Sequence, residues 1–283
     1  MLWQGRRGSD NVEDRRGISG GGMAAGGGIL GIIGFVVYLL MGGNPSDAPQ
    51  NPMQGGTSQP MSAEEKAADD QRAQFVKVVL ADTEDIWGKL MPDMGKDYPK
   101  PTLVLFRDGV ESACGNASSA SGPFYCPGDE KLYIDLSFYQ ELQNRFHAPG
   151  DFAMAYVVAH EVGHHIQKLM GISDKMEQER QQLSEGDYNK LSVKLELQAD
   201  FYAGIWAHYE QSMKNVIEPN DIEEALTAAN AIGDDMLQKQ AQGYVVPESF
   251  THGTSAQRVY WFKKGYTTGD VKQGNTFAAA DLN

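Results

Sequence analysis

The sequence of 283 residues predicts an α+β domain, mostly helical with a small sheet, preceded by one transmembrane helix and a linker. Three observations lead there. Apolar, β-prone runs come early in the chain and amphipathic helical runs come late, which is an α+β layout. One uncharged stretch near the N-terminus approaches the length needed to cross a bilayer. Between them lies a segment too rich in Gly, Pro, Asn and Gln to fold.

Taken in order, residues 1–22 are glycine-rich and carry Arg6, Arg7, Arg15 and Arg16. Residues 23–41 hold no charge and are most apolar over 29–41. No Lys or Arg then occurs before Lys66, so the positive-inside rule keeps the N-terminus cytoplasmic and exports the rest. This predicts a single-pass protein of a bacterial inner membrane with a periplasmic domain. A cleaved signal peptide is the competing reading, but the small-x-small site at Ser46 and Ala48 is followed by Pro49. Residues 42–65 form the linker, and 66–283 the globular domain.

Within the domain the spacing predicts a helix over 66–90 and strands over 102–106 and 131–137. Further helices follow over 151–170, 174–184, 189–211, 220–241 and 254–264. Asn220 with Glu223, and Thr254 with Gln257, have capping-box spacing. The strand at 131–137 would offer an edge along which an extended peptide could add itself to the sheet. Tyr202, Trp206, Tyr260, Trp261 and Phe262 fall at helical spacing and read as core rather than as an aromatic cleft.

The helix over 151–170 carries the chemistry. Pro149-Gly150 precedes it, Asp151 suits its N-terminus and Gly171 its C-terminal cap. Inside it stands His160-Glu161-Val162-Gly163-His164. Histidines four apart on a helix share a face, about 5–6 Å apart at Cβ. They can bind one zinc ion, with Glu161 beside the open coordination position as general base.

Two histidines are an incomplete site. The metzincin continuation would need Gly at 167 and His at 170, where this chain has Gln167 and Met170. Glu196 and Asp200 stand one turn apart on a later helix among Leu195, Leu197, Phe201, Ile205 and Trp206. A buried carboxylate is costly unless paired or metal-bound. Glu196 as third ligand, with Asp200 bonding a ligand histidine from behind, fits this spacing; Asp200 is the competitor for the ligand position.

His252 and Arg258 sit at the entry of the helix over 254–264. A histidine or arginine outside the metal shell can stabilise the oxyanion or grip the substrate backbone. The alternative is a turn in which His252 bonds backbone and Arg258 pairs with an acid. His165 points roughly 100° away from His164, which suits a supporting role, and His147 and His208 read as ordinary histidines. Cys114 and Cys126 flank a short Gly- and Ser-rich stretch without Cys-x-x-Cys spacing, so a disulfide is expected in an exported domain. The net charge of −14 leaves no basic stripe for phosphates and excludes a nucleic-acid partner.

From Gly5-Arg-Arg-Gly-Ser-Asp-Asn-Val-Glu-Asp-Arg-Arg-Gly17 to Thr251-His-Gly-Thr-Ser-Ala-Gln-Arg258 and Trp261-Phe262, the chain resembles the bacterial putative neutral zinc metallopeptidase family. These are membrane-tethered proteins of the gluzincin type. The resemblance implies a zincin-like fold, one zinc on His160, His164 and Glu196, and Glu161 as the catalytic acid–base. It implies a peptide or protein substrate without naming one. The rival readings are a zinc-stabilised scaffold without activity and a zinc amidase acting on cell-wall peptide. An intact Glu161 disfavours the scaffold, because a structural site has no use for that acid.

Overall fold

The computed structural model describes residues 1–17, 61–279 and 282. A mixed four-stranded sheet is formed by β1 (Val12–Asp14), β2 (Thr102–Phe106), β6 (Lys131–Asp135) and β5 (Phe124–Cys126), in the order β1-β2-β6-β5. β1, β2 and β6 run parallel, with Val12 opposite Leu103 and Leu103 opposite Leu132; β5 is antiparallel, with Phe124 opposite Tyr133. Both faces of β2 are covered, which is why Thr102-Leu-Val-Leu-Phe106 is apolar almost throughout. Leu103 and Leu105 join the main core. Val104 and Phe106 pack with Tyr133, Cys126 and Val110 under the hairpin of β3 (Gly109–Ser112) and β4 (Gly115–Ser118). The Cys114–Cys126 disulfide ties that hairpin to β5.

β6 is an interior strand, so the expected peptide-accepting edge is not there; among the described residues the edge strands are β1 and β5. The three residues of β5 escaped the sequence reading because they lie in a Gly- and Ser-rich stretch with no alternation to detect.

The long helix α1 (Ala63–Asp93) starts at a capping box of Ser62 and Glu65 and buries Phe75, Val79, Ile86 and Trp87. The short α2 (Phe138–Asn144) leads into α3 (Asp151–Leu169), the helix of the paired histidines. Then come α4 (Ile172–Arg180) and α5 (Glu185–Tyr209), which runs on into a π-helical turn at Glu210–Lys214. α6 (Asp221–Ala231), α7 (Asp234–Gln242) and α8 (Ser255–Thr268) complete the helices.

The single helix expected over 220–241 is broken at Ile232-Gly233. A Cβ on Gly233 would lie 2.4 Å from the Ser255 nitrogen, so α8 packs directly on the break. Asn220 does not cap α6 with its side chain; it takes a left-handed conformation at φ 80°. Thr254 and Gln257 do form the capping box that starts α8. Trp206, Tyr202, Trp261 and Phe262 are core, but Tyr260 is 53% exposed and does not join them.

Two helix crossings set the geometry of the molecule. α5 and α8 meet at Gly204 and Gly265, where a Cβ on either would strike the opposing backbone at 2.1–2.2 Å. α3 and α5 meet at Gly163, whose added Cβ would lie 3.0 Å from the Ala199 backbone. The second crossing brings Glu196 and Asp200 against the two histidines.

The N-terminal segment corrects the expected organisation. Among the described residues, no helix is long and apolar enough to cross a membrane, and residues 23–41 lie outside the described residues. Residues 1–17, which the sequence placed across a membrane from the domain, belong to it. β1 adds a strand to the sheet, and Trp3 packs edge-on against Phe75 at 5.5 Å. The arginines that suggested a cytoplasmic flank pair with acids: Arg6 with Asp82 and Arg16 with Asp69, both at 2.6 Å, and Arg7 with Asp85 at 2.7 Å. The Met1 ammonium is buried within 3.1–3.3 Å of Asp151, Asp221 and Glu218. One membrane span cannot separate residues that share a sheet.

Candidate metal centre

α3 is anchored at its start by Glu224, whose carboxylate accepts from the Phe152 backbone N–H at 3.0 Å. Gly150, at φ 112°, leaves room for that carboxylate, because a Cβ there would overlap it at 2.0 Å. Gly171, also left-handed, ends the helix as its position predicted. Along the buried face stand His160 and His164, their ring centroids 4.8 Å apart and perpendicular.

Glu196 comes up from α5 between the rings. Its Oε2 lies 3.1 Å from His160 Nε2 and its Oε1 3.6 Å from His164 Nε2. One donor atom from each of the three side chains falls within 4.8 Å of the other two. Both histidines use Nδ1 elsewhere, so both point Nε2 inward. His160 Nδ1 meets Asp200 Oδ1 at 2.9 Å, and His164 Nδ1 meets Gln167 Oε1 at 2.8 Å. Two imidazole nitrogens and a carboxylate oxygen this close together are a donor set that fits a zinc ion, and three protein ligands leave a fourth position open. Asp200 lies behind His160, a place that suits orienting the ring rather than ligation.

Electrostatics follow from that packing. Burial opposes ionisation of Glu196, yet the adjacent His164 and His160 rings hold its carboxyl well below the usual range. Burial also opposes charging His160, but Asp200 and Glu196 raise its pKa to about 10. His164 is raised in the same sense, burial being outweighed by Glu196. In the metal-free protein His160 and Glu196 therefore form a hydrogen-bonded ion pair, from which an incoming cation must displace a proton.

Asp200 is fully buried and depends on Arg258. Burial alone would raise its pKa, and the Arg258 guanidinium is the largest opposing influence. Arg258 donates from Nε to Asp200 Oδ2 at 2.9 Å and from Nη2 to Oδ1 at 3.0 Å. Nη2 also donates to Tyr156 Oη at 3.1 Å, and the Tyr156 hydroxyl donates to Asp200. Of the two readings the sequence leaves open for Arg258, this arrangement matches the pairing with an acid: Arg258 is 2% exposed and bonded to Asp200 and Tyr156.

Glu161 is buried beside His160, and its charge adds to those acting on the His164 ring. His252 lies in the loop before α8, held against α5 by Gly253. At φ 89° that glycine sits where a Cβ would be 3.1–3.3 Å from Val193 and Leu197. Asp234 organises the loop by accepting from the backbone N–H groups of Thr251, His252 and Gly253 at 2.6–3.0 Å. Its other oxygen is 3.2 Å from His252 Nδ1, and Thr251 Oγ1 is 2.9 Å from the same nitrogen, so both partners engage Nδ1 and leave Nε2 uncommitted to them. Burial disfavours the charged ring, but Asp234 and then Glu196 raise the pKa of His252.

The sequence reading missed Asp234 and Gln167. In the sequence Gln167 stands out only as a departure from the metzincin pattern, and Asp234 falls inside a stretch whose spacing predicts continuous helix. His165 takes the supporting place its direction suggested, between Tyr125 Oη at 3.0 Å and the Pro99 carbonyl at 2.7 Å. His208 is bound to the Tyr266 carbonyl, and His147 lies in a left-handed turn.

A family model described as putative neutral zinc metallopeptidase matches residues 1–277. An uncharacterized protein of Escherichia coli, YpfJ, is 49% identical, covering 98% of this chain and 99% of its own. Rv2575 of Mycobacterium tuberculosis, also uncharacterized, is 44% identical over 70% of this chain and 68% of its own. No solved structure matches. With the family match spanning both the N-terminal strand and the metal-site helices, the chain belongs to the putative neutral zinc metallopeptidase family.

Proposed function

We propose that this protein hydrolyses peptide bonds with one zinc ion held by His160, His164 and Glu196. The observation that carries the reading is the convergence of these three donors, each histidine being oriented by a partner on its far nitrogen. A bound zinc ion supplies Lewis acidity, polarising the substrate carbonyl and drawing the pKa of water toward neutrality.

The remaining work falls to side chains of this chain. Glu161 accepts the proton of the attacking water and delivers it to the leaving amine. His252, with Nδ1 engaged by Asp234, offers Nε2 to the oxyanion as it develops. Asp200 orients His160, and Arg258 keeps Asp200 ionised although it is fully buried. Arg258 is thus a positioning residue. The Cys114–Cys126 disulfide supports action in an oxidising compartment, with residues 1–17 and the domain on the same side.

Incubation of the purified protein with a peptide library in oxygen-18 water tests the reading. New C-termini carrying the heavy isotope are expected, lost on chelation and restored by zinc. Turnover of peptidoglycan fragments with no cleavage of linear peptides would point to an amidase instead. Zinc binding with no hydrolysis of either substrate class would favour a scaffold.

A further inference from the structure

Gln167 is a fully buried amide one turn beyond His164 on α3, and it is fixed at both ends. Its Nε2 donates to the Leu195 carbonyl at 2.7 Å and to Gln198 Oε1 at 3.2 Å. Two acceptors on that side leave only Oε1 to face His164 Nδ1, at 2.8 Å. A flipped amide would set its oxygen against both of these acceptors, so one orientation is allowed. His164 consequently carries its proton on Nδ1 and presents Nε2 to the side where Glu196 lies.

The same amide acts on the second helix. Leu195 immediately precedes Glu196, so the bond to its carbonyl fixes the approach of α5 where that ligand leaves it. Gln198 continues the network by donating to the Gly274 carbonyl at 2.8 Å, and Thr276 Oγ1 donates to the Lys194 carbonyl at 2.6 Å. The C-terminal segment thereby closes over the stretch of α5 that bears Glu196. His160 is oriented by a carboxylate with its own arginine, whereas His164 is oriented by a neutral amide that also spans to the neighbouring helix.

We propose that Gln167 is a positioning residue of the metal centre. It sets which nitrogen of His164 faces inward and joins the His164 and Glu196 helices, so that the donor set is assembled before a cation arrives. Its consequence for metal affinity rests on the zinc reading above; its hold on the His164 ring does not.

The test compares wild type, Gln167→Leu and Gln167→Glu in the full-length protein. Zinc affinity is measured by chelator competition, and the exchange-protected His164 ring N–H proton is followed by nuclear magnetic resonance in zinc-free protein. Gln167→Leu, which removes acceptor and donor together, is expected to lose the protected ring proton. It should also bind zinc about 10–100-fold more weakly, the usual effect of losing a partner behind a metal ligand. Gln167→Glu keeps an acceptor for the ring but sets an oxygen against the Leu195 carbonyl. It should retain the ring proton while lowering the unfolding midpoint of the zinc-free protein. A Gln167→Leu protein that keeps the protected proton, or binds zinc within twofold of wild type, overturns the proposal. Should Gln167→Leu fail to fold, loss of the ring proton in Gln167→Glu, or an unchanged midpoint, overturns it instead. If wild type binds no zinc, the metal reading fails and the ring-proton comparison still decides the role of Gln167.

Discussion

Replacing Arg258 by Met keeps most of the side-chain volume and removes the cation that faces Asp200. Asp200 is fully buried, and its oxygens receive both Arg258 donors, the Tyr156 hydroxyl and His160 Nδ1. Without the arginine the buried carboxylate keeps only the His160 ring as a cationic partner. Breaking a buried pair from one side typically costs about 3–5 kcal/mol. For a domain of this size each kcal/mol lowers Tm by about 2–4 °C, so a fall of about 6–20 °C is expected. Zinc affinity should fall as well, by the roughly 10–100-fold typical of a disturbed partner behind a ligand. The sharper assay is a double-mutant cycle with Asp200→Asn, read by thermal unfolding of the zinc-free protein. Removing the stranded charge should restore part of the loss, with a coupling of about 0.5–3 kcal/mol. A single mutant that loses less than about 1 kcal/mol, or strictly additive losses in the double mutant, would refute the view that Arg258 exists to hold Asp200.

Other consequences can be measured separately. His252→Ala should lower the catalytic rate about 100–1,000-fold at full zinc content; activity per folded, zinc-loaded molecule within a few-fold of wild type would leave His252 as a turn residue. Gly163→Ala should force α3 and α5 apart at Ala199, costing about 1–3 kcal/mol and weakening zinc binding together; a neutral substitution would show that the crossing is not tight. Glu210 is buried at the end of α5, facing Asp82 and Asp85 of α1, Arg6 of the N-terminal segment and Lys214 of its own turn. Burial, then Asp82, raises its pKa to about 8 in the folded protein, from 4.5 in the reference state. The folded state therefore holds the proton more tightly, and this group lowers stability progressively as pH rises from about 4.5 to about 8. Glu210→Gln should unfold at a higher temperature than wild type at pH 8.5, the difference shrinking toward pH 5; parallel curves would count against this assignment.

The parts of the site that the sequence displayed are those held by local spacing. His160 and His164 share a face because of the helical repeat, and the same repeat puts Glu196 and Asp200 one turn apart on α5. Both readings needed only the type of element, not its neighbours. The disulfide was legible for a similar reason, two cysteines closing one short loop. The missed features depend on partners far along the chain. β1 is three residues, Val12-Glu13-Asp14, with nothing strand-like about them until β2 lies alongside. Its flanking arginines looked like a membrane-facing charge cluster because their acidic partners on α1 lie more than fifty residues away. The break before Asp234 falls at Gly233, on which Ser255 of α8 packs; one glycine inside a helical pattern is a weak local signal and does not fix a break by itself. Arg258 looked equally suited to substrate and to an acid; the depth of Asp200 decided between them.

The central claim is that Glu161 uses a zinc ion on His160, His164 and Glu196 to cleave peptide bonds. Its most direct test is turnover per bound zinc in Glu161→Gln, measured beside wild type on the same peptide substrate. The amide keeps the size of the side chain but cannot accept the proton. The account predicts one zinc per chain in both proteins, normal folding, and hydrolysis abolished in the mutant. Equal turnover per zinc in the two proteins would contradict it.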